Sequence, residues 1–200
     1  MTQYHHLSLE DIESLAVGAW ILGTGGGGSP YLGLLHMRQL YAHGKRIRLM
    51  PPEALDDGDS VAVVSNQGAP LVGQERLTDS RNVARAVALM EEITGNHFRA
   101  IMSLEIGGGN SIQLLMAAAH LDRPVVDADC MGRVYPEAQM TSFAVGGLQP
   151  YPLTSVDRRG GESEVLRVTH GDCANAVGAA IAQVSGEVDQ IYRDMSRGDA

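Results

Sequence analysis

Three segments of the 200-residue chain hold residue types that do chemistry, at spacings chemistry can use. The densest is Asp127-Ala128-Asp129-Cys130-Met131-Gly132-Arg133-Val134-Tyr135-Pro136-Glu137. Paired carboxylates suit general acid/base work when their surroundings separate their pKa values. They suit a divalent cation as well. Arg133 carries the planar fork that grips a carboxylate or a ring oxygen. Cys130 beside Arg133 is a candidate nucleophile, given an adjacent base. The plainer alternatives are an Asp–Arg ion pair pinning a loop and a small half-buried cysteine.

The second segment is Glu105-Ile106-Gly107-Gly108-Gly109-Asn110-Ser111. It sets a carboxylate, Glu105, at a predicted strand end and Asn110 as an amide cap at a helix start. Gly108 and Gly109 lie between them. Ligands of α/β sheets bind at this kind of turn. The alternative is a capped loop with a solvated Glu105.

The third segment is the loop Gly23-Thr24-Gly25-Gly26-Gly27-Gly28-Ser29-Pro30. Amides of Gly25, Gly26, Gly27 and Gly28, with the helix N-terminus after Ser29, could bind an anion. A tight helix–helix turn is the alternative. Gly23, Gly25 and Gly28 fit G-x-G-x-x-G, but the dinucleotide fingerprint follows a strand and this loop follows a predicted helix. About 20 residues on, where a ribose-binding acid belongs, stand Arg46 and Arg48. No P-loop pattern occurs. No nucleotide cofactor is expected, and the need for a metal stays open. The seven histidines are dispersed. His5-His6 reads as a loose terminus, and His120 as a cation suited to a helix end. His170-Gly171-Asp172-Cys173 has metal-ligand residue types but no clear partner.

Periodicity supplies the elements that must position these groups. Ser8 and Asp11 form a capping box for a helix over 9–22, with Ile12, Leu15, Ala16, Ala19 and Trp20 at helical spacing. Ser29-Pro30 opens a second helix that stops near Gly44. A short strand follows at 47–49. Val61 to Ser65, Ala100 to Leu104 and Pro124 to Val126 are apolar runs of buried-strand type. Between them lie a helix capped by Thr78 or Asp79 and closed by Gly95, and one from Asn110 or Ser111 to His120. Strands alternating with helices predict an α/β fold with a mainly parallel sheet. A last amphipathic helix is expected over 172–195.

Composition bounds the function. Apolar residues are 44% and charged residues 20%, as in a globular domain. The balance of 15 basic against 24 acidic residues gives −9, which repels phosphate backbones, so no nucleic acid is expected. No run reaches the ~18 apolar residues of a membrane helix, and Met1 to His6 lacks the features of a signal peptide. With only two cysteines, a reducing cytoplasm is the expected location. Glycine is in excess at 24 residues, and the excess falls in the loops above.

These segments, with Gly68-Ala69-Pro70, occur in the order found in the S-methyl thiohydantoin desulfurase-like proteins, and the chain resembles that family over residues 8–195. The family was once known as a domain of unknown function and is associated with hydantoinase/oxoprolinase proteins. The resemblance implies a Rossmann-like N-terminal domain with glycine-rich loops at strand and helix ends. Here it spans 1–200, with a core at 8–145 and a connecting segment and helix at 146–200. The family's β-rich C-terminal domain is expected to be absent. The sequence departs from the family pattern at Ser29 for Asp, Val134 for Ala, and Asn66-Gln67 before Gly68.

The implied reaction is hydrolysis of an S-methylated thiohydantoin to a hydantoin and methanethiol. Asp127 or Asp129 would activate water, and Glu105 or Glu137 would serve as acid or complete a metal site. Arg133 and the loop residues Gly25–Ser29, Gly108, Gly109 and Asn110 would hold substrate. The expected partners are a small-molecule substrate, a second copy of the chain and a hydantoinase-type protein. The competing readings are a phosphate- or nucleotide-binding module and a non-catalytic scaffold.

Overall fold

Two glycine loops meet backbone to backbone, and the elements around them are arranged to allow it. The computed structural model describes residues 4–24, 26–66, 79–133, 140–148, 153–156 and 161–165. All lie in one compact unit, Met1–Leu166. The elements are β1 (His5–Leu7), α1 (Leu9–Leu22), α2 (Tyr31–Ala42), β2 (Ile47–Met50), β3 (Val61–Val64), α3 (Asn82–Thr94), β4 (Ala100–Ser103), α4 (Asn110–Leu121), β5 (Val125–Asp129), α5 (Ser142–Val145), β6 (Leu153–Val156) and β7 (Glu162–Val165). The main sheet runs β1-β2-β5-β4-β3. β2, β5, β4 and β3 are parallel, and β1 pairs antiparallel with β2. β6 and β7 form a separate hairpin that touches α3, where the Thr154 hydroxyl donates to the Ala86 carbonyl.

The expected α/β class with a mostly parallel sheet is thus present. The Ser8/Asp11 capping box forms in both directions and opens α1 at Leu9. Ser29 Oγ accepts from the Tyr31 amide at the start of α2. Gly95, in the left-handed region, closes α3.

Three readings need correction. His5-His6 is not a loose terminus: it forms β1, paired with Leu49 and Arg48 at the sheet edge. Asp127 and Asp129 lie within β5, which runs on past Val126. His120, at the end of α4, is half-buried, and burial lowers its pKa, so the neutral ring is favoured over a cation at the helix end. The segment after Gly146 carries β6. The helix expected over 172–195, Gly25, Gly68-Ala69-Pro70, His170, Cys173 and Val134 to Glu137 lie outside the described residues.

α4 is the central helix. Ile112 and Leu114 to Ala119 are all buried, which is why this apolar run need not be amphipathic. It packs on the sheet against Ile47, Ile101 and Val125, with Ile12 and Ala16 of α1 and Met37 of α2 in the same core. The opposite sheet face buries Met50, Ala100, Met102, Val126 and Cys130. Gly33 on α2 allows close approach to α4: a Cβ there would sit 2.5 Å from Ile112 Cγ2.

The loops dock through two hydrogen bonds. The Gly108 amide donates to Ala19 O at 2.7 Å, and the Gly109 amide to Gly27 O at 2.8 Å. Gly108 has φ +59°, and a Cβ on it would stand 2.6 Å from Gly27 C. Glycine is required there twice over, by conformation and by space. Gly18, on α1, meets nothing within 4 Å. Thermal melts should separate the two positions. Gly108→Ala should destabilise by about 2–4 kcal/mol, whereas Gly18→Ala should stabilise by about 0.5–1 kcal/mol.

Candidate functional site

The carboxyl ends of β3, β4 and β5 meet the docked loops, and a short relay of polar groups ties the three ends together. Glu105 follows β4 and is buried, at 3% exposure. Its Oε1 accepts from the Asn110 side-chain amide and its Oε2 from the Gly107 backbone amide. Its carbonyl accepts from Ser103 Oγ. Asn110 Oδ1 in turn accepts from the Asn66 amide, just after β3, at 2.8 Å. Asn110 is itself buried, at 7% exposure. One asparagine therefore joins two strand ends by using both sides of its amide.

Asp129 closes the relay on the β5 side. Its Oδ2 accepts from the Ile106 amide at 3.1 Å and its Oδ1 from the Gly132 amide at 2.7 Å. Successive amides of one loop thus serve two carboxylates, Ile106 for Asp129 and Gly107 for Glu105. The register explains the meeting. Ile101 lies opposite Val125 but Ser103 lies opposite Asp129, so β5 carries extra residues between these pairs. Such an irregularity re-aims side chains at a strand end. It leaves Asp127 exposed and Asp129 half-buried against the loop.

Burial sets the electrostatics around the relay. Burial pushes the Glu105 carboxyl above the ordinary range, opposed by the Asn110 and Gly107 hydrogen bonds and aided by the nearby Asp129 charge. Burial likewise pushes the Cys130 thiol up to about 11, with Asp129 adding to the shift. Cys130 is 1% exposed, its sulfur lies 3.5 Å from the Ser103 carbonyl, and it packs in the lower core. In this setting it is a core residue with little thiolate, unlike an activated nucleophile.

The structure brings Glu105, Asp129, Asn110, Gly108, Gly109 and the Gly27–Gly28 stretch together. It sets Asp127 beside them on β5, Arg133 exposed in the turn after Gly132, and Ser29 exposed at the start of α2. Glu137 and Gly25 lie outside the described residues. One expectation changes. Asn110 does not cap α4, because the buried carboxylate and the Asn66 amide occupy its side chain. The amides of Gly107, Gly108 and Gly109 are engaged by Glu105, Ala19 and Gly27. In the sequence, Asn66 stands out only as a departure before Gly68. Its part is played by a backbone amide, which no side-chain pattern signals. Among the described residues, no group of three or more His, Cys, Asp or Glu is placed to hold a metal ion.

A family model described as the S-Me-THD-like N-terminal domain matches residues 10–167. Among solved structures, the chain is similar to an X-ray structure of a protein from Chromobacterium violaceum, at 25% identity and a TM-score of 0.68. That similarity covers 88% of this chain and 50% of the other, so this chain spans about half that relative's length. No curated protein matches it. None of the described helices is long and apolar enough to cross a membrane.

Two measurements test the electrostatics. A carboxyl raised in the folded state binds its proton more tightly there than in the unfolded chain. Its contribution to stability is therefore largest at low pH and falls as pH rises through the raised pKa. Urea denaturation at pH 4 and pH 8 should show wild type losing stability relative to Glu105→Gln as pH rises. In a Cys173→Ser background at pH 8, Cys130 should alkylate at least ~50-fold more slowly in the native protein than in the unfolded chain.

Proposed function

The chain belongs to the S-Me-THD-like family, whose N-terminal domain it matches over residues 10–167, and from that membership we propose that it hydrolyses small cyclic thioimidate or amide rings. The type reaction is S-methyl thiohydantoin plus water giving hydantoin plus methanethiol. The observation that carries this reading is Asp129, held at a strand end by the Ile106 and Gly132 amides beside exposed Asp127. Parallel strands with helices packed on them support a Rossmann-like layering, in which ligands meet the strand carboxyl ends.

In this reading Asp129 takes a proton from water. Each carboxylate oxygen has two acceptor sites, so Asp129 can receive water while keeping both amides. The water oxygen bonds to the ring carbon that carries sulfur. That carbon's bond to the ring nitrogen becomes single as the nitrogen takes the proton that Asp129 received. The C–S bond then breaks as the carbonyl forms, and the hydroxyl proton, released to Asp129, balances the one that methanethiolate takes as it leaves. Arg133 grips a ring oxygen or a substrate carboxylate. The Gly26–Ser29 stretch walls the site, with the Gly27 and Gly28 amides facing developing charge, and Gly25 completes the expected set of loop residues. Glu137 supplies the leaving-group proton or, with Asp127 and Asp129, holds a divalent cation. Cys130 and Glu105 take no direct chemical part.

A homo-oligomer in a reducing cytoplasm completes the reading, as does association with a hydantoinase-type protein. Val17, Trp20, Ile21 and Tyr31 leave an apolar face exposed on α1 and α2, which favours an associating surface. A phosphate-binding module is the weaker reading, because the carboxylates Asp127 and Asp129 stand against a phosphate unless a cation intervenes.

Methanethiol release from an S-methylated thiohydantoin tests the reaction, with ring binding followed in parallel by thermal shift. Asp129→Asn should lower kcat at least ~100-fold, and Asp127→Asn by less. A folded Asp129→Asn protein with full turnover would remove Asp129 as the base. A chain that neither binds nor turns over such rings would overturn the whole reading.

A further inference from the structure

The place of Glu105 after a strand suggests a proton donor. Its surroundings assign it another task. Both carboxylate oxygens accept hydrogen bonds from inside the protein, and the residue is buried at 3% exposure. A donor to substrate needs a free path to it; Glu105 faces Asn110 and Gly107 instead. We propose that Glu105 and Asn110 are positioning residues for Asp129, acting through the backbone of residues 105–107. This rests on Asp129 being the base in the reading above.

The geometry shows how the effect is passed on. Asn110 donates to Glu105 and accepts from Asn66, which fixes the end of β3 to the end of β4. Glu105 then holds the Gly107 amide. With the next peptide fixed, the Ile106 amide points to Asp129 Oδ2, and Gly132 holds the other oxygen. The order of donors and acceptors is specific. An aspartate in place of Asn110 would face the Glu105 carboxylate with a second one. A glutamine in place of Glu105 would turn an amide donor toward another donor. Each single change leaves one mismatch among buried groups.

The double variant Glu105→Gln, Asn110→Asp removes the mismatch. The introduced glutamine accepts from the Gly107 amide and donates to the introduced aspartate. That aspartate in turn accepts from the Asn66 amide. All three hydrogen bonds return with the same net charge, but the side chain after β4 can no longer give up a proton. Two readouts are needed. Hydrogen exchange at the Asn66, Ile106 and Gly107 amides reports the relay without any substrate. The pH profile of methanethiol release, split into kcat and KM, reports the reaction.

Each single variant should speed exchange at these amides at least ~10-fold and lower kcat at least ~10-fold with KM changed less than ~3-fold. The double variant should restore exchange to within ~3-fold of wild type. It should recover most of kcat with the shape of the pH profile unchanged. Restored exchange without restored turnover would show that the Glu105 carboxyl is needed chemically, and the positioning role falls. Unrestored exchange also overturns it. If wild type turns over no ring, the function reading fails on its own, and exchange alone decides the relay. Should the single variants not fold, wild type serves: the Gly107 and Asn110 amide resonances should titrate together with the Glu105 carboxyl. Independent titration would overturn the proposal.

Discussion

The contact on which the rest depends is the backbone docking of the two glycine loops. Gly108 N–H to Ala19 O and Gly109 N–H to Gly27 O join the α1–α2 connection to the β4–α4 turn. No side chain could stand at Gly108 without entering Gly27. Once the loops are docked, α1 and α2 must lie close to α4, and Gly33 accepts Ile112 at their crossing. Fixing that turn fixes where β4 ends, and so where Glu105 is buried.

Burying Glu105 is not the least costly way to fill that space. Its desolvation raises the pKa, and two hydrogen bonds recover only part of the cost. A well-packed apolar pair would be expected to cost less. What an apolar pair cannot do is receive the Gly107 amide while answering the Asn110 amide. The carboxylate has acceptors in two directions, and the loop presents donors in those directions. The cost is therefore linked to register: residues 105–107 hold one conformation, and Asp129 meets one amide.

Legibility in the sequence follows the range of the signal. The Ser8/Asp11 capping box, the apolar runs of β3 and β4, and Gly95 closing α3 are local patterns, and each appears where local chemistry puts it. β1 escapes such a reading because two histidines and a leucine carry no strand signal; pairing with β2 makes the strand. The reach of β5 through Asp129 escapes it because carboxylates read as loop, whereas here the ladder opposite Ser103 carries them. Asp129, Glu105 and Asn110 are legible as candidates from residue type and position. Their roles are not, since these depend on which backbone amides arrive from elsewhere in the chain: Ile106 for Asp129, Asn66 for Asn110.

The division of labour between backbone and side chain also constrains how such a site can change. The docked glycines set the shape of the floor, and substitutions there cost stability before they alter chemistry. Glu105 and Asn110 face inward and set orientation. The groups left exposed around this frame are Asp127 on β5, Arg133 in the following turn, and Ser29 at the head of α2. Ser29 Oγ accepts from the Tyr31 amide, and the residue stands exposed beside the loop. A carboxylate in its place would set a negative charge at the head of α2, where serine sets none, so the polar group there serves the turn into the helix rather than the charge of the strand ends.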